Sequence, residues 1–93
     1  MNTYYVFPFD LSYASRGSYQ DCKRLAEDLT YSGQFAALYV ARSRAGEPDA
    51  TVILEFHSRG YKQLSTVQRL SRYALQQACK RRPLLFDLSG QGG

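Results

Sequence analysis

Cysteine is scarce in this chain: Cys22 and Cys79 are the only two. That is too few for the disulfide framework a small secreted domain relies on, and their spacing fits no metal site, so reduced thiols are expected. Long apolar runs are absent too, with nothing near the roughly 18 residues of a membrane span. Met1-Asn2-Thr3 does not open a charged stretch followed by an apolar one. The expectation is a cytoplasmic protein, neither secreted nor membrane-spanning. There is a single histidine, His57, and no cofactor or metal is expected.

The most informative absence is acidic. From Arg59 through Arg82 there are seven bases (Arg59, Lys62, Arg69, Arg72, Lys80, Arg81, Arg82) and no Asp or Glu. Residues 1–58 hold five bases against seven acids. The net charge of +4 is therefore concentrated in one stretch, and single-sign segments of this kind attract phosphate or an acidic protein face.

What is present suits a packed domain. The composition, 44% hydrophobic and 22% charged over 93 residues, is that of a single globular unit rather than a disordered chain. Residues 1–88 are read as one domain and 89–93 as a flexible glycine-rich tail. Thr3 to Asp10 is aromatic and branched, as strands are. Ser18 followed by Asp21 marks a helix start. Cys22, Leu25, Ala26 and Leu29 repeat at helical spacing over 19–31, and Gly33 suits the stop. Residues 35–42 and 51–57 read as a β-hairpin turning at Gly46 and Pro48. A second helix is predicted over 61–80, ended by Pro83, and a last short strand over 84–88. Ser15-Arg16-Gly17 and Ser58-Arg59-Gly60 are read as matching strand-to-helix turns of a duplicated plan.

The order strand, helix, strand, strand, helix, strand predicts an α+β split-βαβ fold, ferredoxin-like (βαββαβ). It implies a four-stranded antiparallel sheet with two helices on one face. In that topology strand 3–10 and strand 51–57 are adjacent and parallel, and the other sheet face is open.

A step of about 100° per residue over 61–80 separates two stripes. Leu64, Val67, Ser71, Ala74, Leu75 and Ala78 form a core face; Lys62, Arg69, Arg72, Gln76 and Lys80 lie opposite, with Tyr73 among them and Arg81 and Arg82 beyond. Such a basic ridge suits a phosphate backbone, with Tyr73 placed to stack on a base. Arg16 and Arg59 are candidate anion-binding loop residues. The leading expectation is a non-catalytic binding or regulatory module engaging nucleic acid, or a nucleic-acid-binding complex, through this helix. The alternative is a phage- or plasmid-type inhibitor or adaptor that binds an acidic partner protein, or itself as a homodimer, through the open sheet face. In strand 3–10 the set Tyr5, Phe7 and Phe9 opposes Tyr4 and Val6, and either set can be the buried one; if the first set is exposed, it forms an aromatic platform with Ile53 and Tyr39. Phosphoryl-transfer or nuclease-like catalysis at Asp10 and His57 ranks third. RNA-recognition motifs share the predicted topology, but their signature is not found in 51–57.

Overall fold

A computed structural model describes residues 2–82, the side chains of 65–67 excepted. Among the described residues one five-stranded sheet runs β2-β1-β3-β4-β5, antiparallel at every junction. The strands are β1 (Asn2–Phe7), β2 (Ser15–Gly17), β3 (Ala37–Arg44), β4 (Asp49–His57) and β5 (Gly60–Ser71). Two helices, α1 (Tyr19–Tyr31) and α2 (Arg72–Arg81), pack on opposite faces. The α+β class holds. The four-stranded ferredoxin-like sheet with both helices on one face does not.

The first helix forms for the reasons visible in its sequence. The Ser18 side chain caps the helix by accepting from the Asp21 N–H at 3.1 Å. Cys22, Leu25, Ala26 and Leu29 are buried against Val6, Leu38, Val40, Leu54 and Phe56. Thr30, on the same face, donates its hydroxyl to the Ala26 carbonyl at 2.7 Å, which satisfies it without a sheet partner. Gly33 ends the helix at φ +85°, a left-handed conformation that favours glycine.

The second half of the chain departs from expectation. Residues 60–71 are the edge strand β5, not helix, and only Arg72–Arg81 is helical. Ser58-Arg59 is a two-residue turn, with His57 facing Gly60 across β4 and β5. The ladder this turn starts supplies the backbone hydrogen bonds a helix would otherwise make. Ser71 then caps α2 by accepting from the Ala74 N–H at 3.3 Å. Ser15-Arg16-Gly17 is itself β2, paired with β1, so the two Ser-Arg-Gly tripeptides are not equivalent turns. The strand predicted over 84–88 and the tail over 89–93 lie outside the described residues.

β1 is flanked by β2 and β3, and so is not adjacent to β4. It is also not one-sided. Val6 faces α1, whereas Tyr5 and Phe7 lie beneath α2 with Ala41, Ala50, Val52, Leu75 and Ala78. Its sequence shows no clean alternation because both faces are covered, which removes the open aromatic platform expected of Tyr5 and Phe7.

In β4 the even-numbered residues change face. Ala50 and Val52 pack towards α2, but Leu54 and Phe56 pack towards α1. The cause is a bulge at Ile53: Val40 faces Leu54 across β3 and β4, while the next residue, Ala41, faces Val52. One extra residue reverses the side-chain phase of everything after it.

Candidate arginine cleft

The 61–82 ridge does not exist as one surface. Lys62 lies on the α2 face of β5, where it pairs with Glu55 at 3.5 Å; Glu55 also contacts His57 Nε2 at 3.1 Å. Arg69 falls on the opposite face, because its register partner is Thr51 rather than the α2-facing Ala50 or Val52. Arg72 opens α2 and ties down the hairpin: its N–H donates to the Pro48 carbonyl at 2.9 Å and its Nη1 to the Arg44 carbonyl at 3.3 Å. Tyr73 is exposed on the same helix. Lys80 and Arg81 are exposed at its far end. Arg82 bends away to the Tyr13 ring, 5.7 Å from its centroid, and its carbonyl accepts from the Ala14 N–H at 3.1 Å.

The two anion-loop candidates also part. Arg16 sits in β2 opposite Tyr5, near Cys79, whereas Arg59 is exposed in the β4–β5 turn. Asp10 and His57 belong to ends of strands with β3 between them, each occupied locally. Asp10 accepts from both the Ser12 N–H at 3.0 Å and the Ser12 hydroxyl at 2.7 Å, which holds its carboxyl below the ordinary value. His57 contacts Glu55. The expected Asp-His pairing is thus not assembled. Both cysteines are free thiols, and burial pushes Cys22 up to about 12, leaving it protonated and unreactive.

The structure instead gathers arginines from two strands, β3 and β5. A row of register partners crosses the sheet: Tyr4 in β1, Arg42 in β3, Thr51 in β4 and Arg69 in β5. Arg44 follows two residues after Arg42 and so projects to the same face. Arg42, Arg44 and Arg69 line a cleft of about 440 Å³ together with Glu47, Pro48, Asp49 and Thr51. The backbone at the cleft is hydrogen-bonded. Gly46 turns the hairpin at φ +87°, the Glu47 N–H donates to the Arg44 carbonyl at 3.1 Å, and Asp49 stands in the ladder opposite Ser71.

Among the described residues none of these three guanidinium groups donates a hydrogen bond or forms an ion pair. Neither family models nor curated proteins nor solved structures match this chain. The cleft is therefore read from its chemistry alone. Three unpaired guanidiniums at one concave site offer a planar, permanently charged donor array of the kind that binds phosphate bidentately. Reading the sequence as a basic helix missed Arg42 and Arg44. Their alternation at the end of a strand was the available signal, and it acquires meaning once 60–71 is a strand that carries Arg69 alongside.

A second exposed feature lies at the other end of the sheet. Pro8 to Leu11 forms a tight turn, with the Leu11 N–H donating to the Pro8 carbonyl at 3.0 Å and Leu11 in the left-handed region at φ 57°. This turn holds Phe9 outward, 86% exposed. Its ring stands between two apolar hollows, one of about 270 Å³ that includes Phe7, Leu11 and Tyr39, the other of about 380 Å³ that includes Pro8, Phe35 and Ala36. Among the described residues no helix is long and apolar enough to cross a membrane.

Proposed function

We propose that this chain is a non-catalytic nucleic-acid-binding module whose phosphate-contacting surface is the cleft of Arg42, Arg44 and Arg69. The observation that supports it is the convergence of three guanidiniums without a protein acceptor on one concavity. Arg72 adds a fourth positive charge behind the hairpin. The surface proposed differs from a helical ridge, since it draws on β3 and β5 together.

The test is binding of labelled single-stranded oligonucleotides followed by anisotropy over a salt series. Three phosphate contacts give a slope of about −2 in log K against log salt for a single strand. An affinity that is undetectable at low salt, or one that does not change with salt, would rule the reading out.

Protein docking is a second reading, favoured by Phe9 alone. A large ring held out of the core by a constrained turn, flanked by apolar hollows, is the arrangement of an interface anchor. Phe9→Ala leaves folding intact, because the ring is already outside the core. If sedimentation detects a self-associated species, that species is lost in the variant; a dimer that persists unchanged removes Phe9 from the interface.

A further inference from the structure

The cleft that carries the proposed function contains acids as well as arginines, and a simple phosphate-tracking surface has no use for them. Glu47 and Asp49 line the same cavity as Arg42, Arg44 and Arg69. They also flank Pro48 in a turn whose backbone is bonded on both sides, to Arg44 and to Arg72. Yet among the described residues the carboxylates do not pair with the arginines; the only ion pairs there are those of Glu55 with His57 and Lys62. One concavity thus presents unmatched donors and unmatched acceptors together.

A ligand that satisfies both must bring acceptors and a donor in fixed proximity. Phosphate brings acceptors only, and carboxylates beside it repel it. A DNA backbone is phosphate and deoxyribose, which has no hydrogen-bond donor. An RNA backbone adds one donor per nucleotide, the 2′-hydroxyl. Resting on the nucleic-acid reading above, we infer that the cleft selects RNA over DNA: the arginines hold flanking phosphates while Glu47 or Asp49 accepts from the ribose 2′-hydroxyl. The volume, about 440 Å³, lies within the roughly 300–1,000 Å³ typical of small-ligand pockets. The turn fixes the backbone that carries Glu47 and Asp49, and their exposed side chains are ordered by the ligand.

The experiment compares three labelled octamers of one base: oligo-uridine, oligo-deoxyuridine and 2′-O-methyl oligo-uridine, titrated by anisotropy at low salt. The first differs from the second only by the hydroxyl, and the third keeps the ribose oxygen and pucker but loses the donor. The expected result is that oligo-uridine binds about ten-fold more tightly than either, the fold-change of one hydrogen bond to a charged group. In the Glu47→Ala/Asp49→Ala protein the preference disappears, and oligo-deoxyuridine binds more tightly than it does to the unaltered chain, because the repulsion is gone. Equal affinities for uridine and deoxyuridine octamers overturn the inference and leave the nucleic-acid reading standing. So does a 2′-O-methyl octamer that binds as well as uridine, which would trace the preference to sugar shape, or a preference that survives the double substitution. Failure of all three octamers to bind overturns the nucleic-acid reading itself. The three-octamer comparison on the unaltered protein needs no variant to fold.

Discussion

Tyr5→Ala lowers stability by about 3 kcal/mol or more, read as the shift of the urea midpoint against the unaltered chain. Tyr5 is 1% exposed and packs beneath α2 with Leu75 and Ala78. Phe56, its counterpart under α1, is fully buried, and Phe56→Ala serves as the reference with a similar loss. The comparison discriminates between folds. In a sheet with both helices on one face, residues 5 and 6 of β1 point oppositely and one of them faces water, so truncation there would change stability by only a few tenths of a kcal/mol. A Tyr5→Ala effect below about 1 kcal/mol would mean that α2 does not cover β1. A domain of this size has about 5–15 kcal/mol in total, so either truncation removes a large fraction of it.

Arg42→Gln, Arg44→Gln and Arg69→Gln combined reduce single-stranded nucleic-acid affinity roughly 100-fold at low salt and flatten the salt dependence by about 2 units of slope. Glutamine keeps most of each stem, which matters for half-buried Arg42. Lys62→Gln is the control. It lies on the other face and is held by Glu55, so its removal changes affinity less than two-fold if the cleft is the site. Should Lys62, Lys80 and Arg81 substitutions matter as much as the three cleft arginines, binding is diffuse and the cleft loses its role. Anisotropy titrations of the same oligonucleotide at two salt concentrations separate these outcomes.

How far the sequence could be read depended on whether each element was decided locally. α1 was legible to the residue, because Ser18, the Cys22-Leu25-Ala26-Leu29 spacing and Gly33 all act within its own length. The β3–β4 hairpin was legible from Gly46 and Pro48, although the strands extend further towards the turn than their composition suggests. β5 was not, since Leu64 falls in helical phase with Leu75 and Ala78 of α2 by coincidence while the segment's hydrogen-bond partner, β4, decides its conformation. The local sign of the boundary was Ser71, a cap residue followed three positions on by the Ala74 N–H it accepts from. β1 resisted because both of its faces are buried, so its alternation carries no information about which is inside.

The candidate site was legible in charge but not in place. The acid-free stretch from Arg59 to Arg82 is real, but β5 and α2 distribute it over two faces of the sheet, and only Arg69 of that stretch lines the cleft. Its companions Arg42 and Arg44 come from a segment of mixed charge, where their alternation at the strand end was the one local sign of a shared face. Non-local pairing, Arg42 to Thr51 to Arg69, is what assembles them.

The bulge at Ile53 makes β4 a strand in which length carries as much meaning as composition. Upstream of it, Thr51 shares a face with Arg42 and Arg69; downstream, Leu54 and Phe56 share that same face with α1. A substitution at position 53 leaves both halves where they are. Removing Ile53 leaves Val52 and Leu54 adjacent against Ala41 and Val40, a regular ladder that keeps the arginines aligned and Leu54 and Phe56 under α1. Adding a residue there has no such outlet, and either the arginine row or the core under α1 loses its register.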